Sequence, residues 1–263
     1  MKNLILKTLG FTFISTIVFA QEGGGTKTIV ADSTQQLQEP AFSISVESAF
    51  TNSYLWRGIE FNKGIILQPS VNLEYKGFIL NLWNSTSILE TNNNSIAQEI
   101  DFTLSKIIEP GNFYFEPTLL LYSYPSKNSF SATAEASVFA AYYKGDFGLF
   151  INPSVDILSN SGGAFSETGF TYDHESEKIH IVTNFAYGLG NRKFVNYNIL
   201  GDESQSINSN YRLIDINGYV QKSLNETLYI KPSFNFFHLI GTAFTNTLNT
   251  NQLNIAISIG AEF

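Results

Sequence analysis

The chain has 263 residues, no cysteine and three histidines, with 15 Lys+Arg against 23 Asp+Glu for a net charge of −8. Zero cysteine excludes a disulfide scaffold, a thiol nucleophile and a Cys-ligated zinc or iron–sulfur site. An acidic chain with three arginines argues against a nucleic-acid partner, because phosphate contacts need clustered cations. Charged residues make up 14% of the chain, against roughly 25% in soluble domains.

At the N-terminus Lys2 and Lys7 precede an apolar stretch, Leu9–Phe19, that ends in Val18-Phe19-Ala20. A positive flank, a short apolar run and a small closing residue predict a signal peptide over residues 1–20. A membrane anchor would need about 20 apolar residues, and this run is shorter and broken by Thr and Ser. Gln21 rather than Cys follows the predicted cut, so no lipoprotein anchor is expected. Residues 21–40 are Gly/Gln-rich and predict a flexible periplasmic leader. Residues 41–263 then form a single predicted domain.

From Phe42 onward apolar residues recur in twos, and no window sustains a helical stripe. Phe42, Ile44 and Val46 alternate with Ser43, Ser45 and Glu47, and the same pattern recurs through Val71–Tyr75, Phe78–Leu82 and Ile100–Leu104. It continues over Phe113–Tyr122, Phe130–Tyr142, Phe147–Ile157, Phe165–Tyr172, Ile179–Tyr187, Tyr211–Val220, Leu228–His238 and Leu253–Phe263. Twelve strands are expected.

Their connections alternate between short and long. Lys76-Gly77, Glu109–Asn112, Lys144–Asp146, Asp173–Lys178 and Ser223–Glu226 carry tight-turn residues. Thr51–Gly64, Ser85–Ile96, Ser123–Ser129, Ser159–Ala164, Gly188–Ile207 and Leu239–Asn251 are longer and polar. That alternation predicts an all-β, antiparallel up-and-down transmembrane barrel with short periplasmic turns and longer external loops. A soluble sandwich shares the period but has no reason to alternate its loop lengths. The last strand carries Leu253, Ile255, Ile257, Ile259, Ala261 and Phe263 on one face, and a terminal aromatic after such a face looks like the signal read by bacterial barrel assembly machinery. Localisation in the outer membrane of a Gram-negative bacterium follows as the expectation.

Ser48–Trp83 adds a family resemblance. Its Tyr54, Trp56, Arg57 and Gly58, followed by Gly77, Phe78 and Trp83, resemble the TorF-type porin family of bacterial outer-membrane β-barrels, whose function is largely unknown. Gln98-Glu99-Ile100-Asp101 and the downstream Leu121-Tyr122-Ser123-Tyr124-Pro125 extend the match over the first half of the mature chain. The resemblance implies location and fold more than substrate.

With apolar residues facing lipid, the opposite parity faces the lumen. It collects Glu47, Glu74, Glu99, Asp101, Glu116, Glu135, Asp156, Glu167 and Asp215 against Lys231. A dry lumen would leave costly unpaired charges, so the carboxylates are expected to be hydrated, or partly neutralised by neighbouring Tyr114, Tyr122, Tyr219 and Tyr229. An acidic lumen predicts a channel for passive diffusion of ions or small solutes, favouring cations. The alternative is a non-conducting structural or adhesive barrel whose external loops bind a partner.

The longest loop, Gly188–Ile207, is the expected plug. Arg57 is a candidate either to pair with Glu60 or a lumen acid at the mouth, or to hold the first loop against the wall. Four polar-Pro-Ser/Thr-apolar repeats, at Pro69, Pro117, Pro153 and Pro232, are expected to mark a ring of bulges or distortions in the wall, the alternative being a constriction at one depth. The three histidines fall at scattered depths, and no Gly-x-Ser-x-Gly, His-Glu-x-x-His or phosphate-loop motif occurs, so no enzyme, cofactor or metal site is predicted. Expected partners are outer-membrane lipid, the assembly machinery and small solutes or cations, with a monomer as the default.

Overall fold

The computed structural model describes residues 42–90, 98–125, 131–200, 210–241 and 248–263. The predicted signal peptide and leader lie outside the described residues. Twelve antiparallel strands close into one barrel, each paired to its neighbours in sequence. They are β1 (Ser43–Trp56), β2 (Ile59–Tyr75), β3 (Phe78–Glu90), β4 (Gln98–Lys106), β5 (Phe113–Ser123) and β6 (Thr133–Lys144). The second half holds β7 (Phe147–Asp156), β8 (Ala164–Glu175), β9 (Ile179–Gly190), β10 (Tyr211–Ser223), β11 (Leu228–Leu239) and β12 (Asn251–Glu262). Between β9 and β10 a short helix, α1 (Arg192–Val195), runs into a π-helical turn over Asn196–Leu200.

Period two becomes the two faces of the wall. On β7 the outward Phe147, Leu149, Ile151 and Val155 are exposed, while Phe150, Asn152, Ser154 and Asp156 are buried inside. On β12 Leu253, Ile255, Ile257 and Ile259 are likewise exposed. At the end holding the short turns, outward aromatics gather, with Phe113 on Tyr142 and Phe147 on Tyr172 at ring centroid distances of 5.1 Å.

The seam is made by β12 against β1, from Ser45 opposite Glu262 to Thr51 opposite Ala256. Phe263 completes it: its backbone N–H donates to the Ile44 carbonyl at 2.9 Å, and its own carbonyl accepts from Ile44 N–H at 3.2 Å. A closed ladder of this kind leaves no sheet edge for water or another chain to satisfy.

Three expectations change. Pairing runs through Pro69, Pro117, Pro153 and Pro232 without a register shift, so the prolines mark no bulges; each points outward and costs the ladder one donor only. Strand β8 continues to Glu175, which carries Asp173 out of its predicted turn and into the interior. The third change concerns the first external loop, expected over Thr51–Gly64. Strands β1 and β2 run on and meet at a two-residue turn, Arg57-Gly58, whose φ angles are +49° and +73°. That pair of left-handed residues fits the hairpin turn that matches strand twist.

Candidate functional site

The inward parity holds for the acidic residues assigned to it. Glu47, Glu99, Asp101, Glu116, Glu135, Asp156, Glu167 and Asp215 are buried inside, as is Lys231, and Glu74 is half-buried near the turn end. Asp173 joins them, so among the described residues nine buried carboxylates face two buried cations, Arg57 and Lys231. His180 is also buried and its Nε2 lies 2.9 Å from the Asp173 carboxylate.

Several of these acids are engaged by protein donors, among them two of the tyrosines expected beside them, Tyr114 and Tyr229. Lys231 Nζ forms an ion pair with Glu47, and the Tyr229 hydroxyl donates to the same carboxylate at 2.7 Å. The Tyr114 hydroxyl donates to Glu116 at 2.8 Å, and Asn217 donates to Asp215 at 3.0 Å. Burial makes such pairing obligatory, since an isolated charge away from water costs several kcal/mol. The tyrosines sit where the pleat sends alternate residues inward, and they reach acids on the same strand, as Tyr114 reaches Glu116, or across one intervening strand, as Tyr229 on β11 reaches Glu47 on β1.

At the end opposite the short turns the wall gives up one hairpin to the lumen. Pairing of β1 with β12 stops at Thr51, and pairing of β2 with β3 begins at Gly64. Between these points residues 52–63 pair only with each other, across two register shifts in β1. Freed from the wall, the hairpin turns inward, and Tyr54, Leu55, Trp56, Arg57 and Ile59 are all buried.

Arg57 is the far end of this plug. Its guanidinium donates to both Glu135 carboxylate oxygens, at 2.9 and 2.6 Å, and to Ser154 Oγ at 3.0 Å. The same group lies 4.4 Å from the Trp56 ring centroid and 4.7 Å from that of Phe165. The Tyr211 hydroxyl donates to the Arg57 carbonyl at 2.8 Å, and Gln252 donates to the Gly58 carbonyl. Gly58 is required here: a Cβ would stand 2.9 Å from the Tyr211 hydroxyl and 3.1 Å from Leu239. The tip therefore bonds to β6, β7, β10 and β12, bridging the mouth.

Helix α1 backs the plug. Phe194 and Val195 are buried in one apolar cluster with Trp56, Phe165, Tyr211 and Leu213. Gly188–Ile207, the expected plug, thus supplies a brace, while the plug itself is the β1–β2 hairpin. Residues 201–209 of that loop lie outside the described residues.

Beside the tip a cavity of about 20 Å³ opens among Trp56, Glu99, Tyr122, Glu135, Asp156 and Tyr197. Deeper inside, Thr103, Thr118, Ser137, Asn184 and Asn217 face inward yet are only half-buried. A side chain pointing into a closed wall gains that exposure from the lumen, so accessible space persists there.

The motif residues separate into two sites. Tyr54, Trp56, Arg57 and Gly58 form the plug, and Trp83 packs on Tyr54 with ring centroids 5.6 Å apart. Gly77 and Phe78 lie at the opposite end, in the Lys76-Gly77 turn, where both residues have positive φ. Arg57 pairs with the lumen acid Glu135 and not with Glu60. Residues missed from sequence include Ser154, Tyr211, Gln252 and Phe194. The signal available was the failure of alternation at Tyr54-Leu55-Trp56, three large residues in a row before an Arg-Gly turn.

No family model matches the chain, and no curated protein matches it. Among solved structures it is similar to the NanC porin, with a TM-score of 0.49 and 11% identity over 84% of this chain and 98% of that one. It is also similar to the KdgM porin, at TM-score 0.46 and 11% identity over 84% and 98% of the two chains. A third similarity is to an outer-membrane channel from Pseudomonas putida F1, at TM-score 0.49 and 8% identity over 89% of this chain and 100% of that one.

Proposed function

We propose that the chain is an outer-membrane channel for ions or small solutes, held closed at its external mouth by the β1–β2 hairpin. The observation that carries this reading is the inversion of the barrel: exposed apolar side chains outside, buried carboxylates and half-buried small polar residues inside. Water-soluble proteins rarely expose apolar patches beyond a few hundred Å², whereas a lipid-facing band with an aromatic girdle is the expected exterior of a membrane barrel.

The polar interior supports a path for cations. Among the described residues nine buried carboxyl groups stand against Arg57 and Lys231, an acidic excess that favours cations over anions in the lumen. Export through a cleaved signal peptide, insertion by the assembly machinery through the Phe263 strand and a monomeric state belong to the same proposal. So does the TorF-type family, whose motif residues Tyr54, Trp56, Arg57 and Gly58 are the plug.

A second reading, a non-conducting barrel with external loops as its working surface, is favoured by one observation: the hairpin tip is bonded to four strands at once. Refolded protein in planar bilayers separates the two. Discrete conductance steps with cation preference support the channel, and a membrane-inserted barrel without steps supports the second reading.

A further inference from the structure

We propose that the cleft beside the hairpin tip binds a primary ammonium headgroup on the carboxylate of Glu99. This deepens the cation-favouring reading of the interior and rests on it for the class of solute, while binding is measured without any conductance.

Three carboxylates line the cleft, and two of them are taken. Glu135 gives both oxygens to Arg57. Asp156 accepts from Thr133 Oγ1 at 2.6 Å on one oxygen, and from the backbone N–H groups of Leu158 and Asn160 at 2.9 and 3.0 Å on the other. Glu99 differs. Its residue is 1% exposed, and Tyr54 and Tyr124 lie beside its carboxyl group, yet its Oε2 has no hydrogen-bond partner. Asp101, two residues along the same inward face, is fully buried as well, so two carboxyl groups sit side by side on β4. A donor-bearing cation is what this arrangement lacks, because a buried carboxylate oxygen without a donor costs several kcal/mol.

The walls select among cations. Trp56, Phe61, Tyr122 and Tyr124 line the cleft, and aromatic faces attract positive charge. Arg57 already uses this chemistry one step away, with its charge over Trp56 and its donors on a carboxylate. Size decides the rest. A cavity of about 20 Å³ holds a single water-sized group. An –NH₃⁺ head has that size and three donors, enough for Glu99 and for the Tyr122 hydroxyl, which also has no hydrogen-bond partner. A quaternary ammonium is too bulky and has no N–H, and a hydrated metal ion brings its whole water shell.

The two tryptophans of the chain provide the readout: Trp56 lines the cleft and Trp83 lies in the same apolar cluster. Full-length protein in detergent micelles at low salt is titrated with n-butylammonium chloride, and separately with tetramethylammonium chloride and sodium chloride at matched ionic strength. A saturable change in tryptophan emission with butylammonium alone is expected. Glu99→Gln should raise the half-saturation concentration at least tenfold while leaving heat-modifiability on gels intact. Should that variant fail to fold, the three-cation comparison on the wild-type protein still decides. No saturable response to butylammonium, an equal response to sodium or tetramethylammonium, or a folded Glu99→Gln protein that titrates like wild type would each overturn the site. Binding in a barrel that never conducts would instead overturn the channel and leave the site standing.

Discussion

Arg57 and Glu135 sit 78 positions apart in sequence, yet the guanidinium of one holds both carboxylate oxygens of the other across the mouth of the barrel, at 2.9 and 2.6 Å. Both side chains are nearly inaccessible, at 2% and 6%. The pair is the point where a hairpin that has left the wall is fastened to the wall opposite, and it makes the plug a seated element.

Removing one partner of such a pair leaves a buried charge and costs about 3–5 kcal/mol. Glu135→Gln should therefore release the hairpin tip while the ladder of twelve strands persists. In a Trp83→Phe background, where Trp56 is the only fluorophore of its kind, the emission should shift to the red as Trp56 meets water. Arg57→Lys should do the same, since an ammonium cannot reproduce the planar two-pronged contact. An unchanged spectrum in both variants would mean that the aromatic cluster alone seats the tip.

Closure by β12 against β1 predicts heat-modifiability. Unboiled protein in detergent should migrate differently from boiled protein, because every wall strand is hydrogen-bonded on both sides. Identical mobility would count against a closed barrel in solution.

Phe263 bonds through its backbone to Ile44 at the seam, while its side chain is 73% exposed. Phe263→Asp keeps those backbone bonds and removes only the aromatic. The folded barrel should form in detergent, whereas surface levels in cells should fall several-fold with export intact. Normal surface levels would remove the terminal aromatic as an assembly signal.

Much of the wall was legible because a pleated strand has a period of two, and polar residues at inward positions reveal their parity one by one. Glu99, Glu135 and Asp215 were placed inside on that ground alone. The plug was not legible, because residues 52–63 change their environment by leaving the wall, and strand periodicity describes a strand only while it has neighbours on both sides. Asn-rich and polar positions around Tyr54–Trp56 read as an external loop; only the three successive large residues hinted at burial on both faces. The pairing of Arg57 with Glu135 is a tertiary fact with no local signature.

Lys231 and Glu47 form another buried ion pair, with the Tyr229 hydroxyl on the same carboxylate. Lys231→Met should destabilise the barrel by about 3–5 kcal/mol, and adding Glu47→Gln should restore part of that loss, since the double variant leaves no uncompensated charge. Urea midpoints of the heat-modifiable form check this. Additive losses would mean the two residues act separately.

Reversal potential across a salt gradient in planar bilayers, measured for wild type and Glu135→Gln, tests the central claim most directly. The account predicts cation-selective steps, more frequent once the hairpin is unfastened, with selectivity weakening as the Debye length falls from about 10 Å at 0.1 M to about 3 Å at 1 M salt. Anion selectivity, or no steps from either protein after verified insertion, would contradict it.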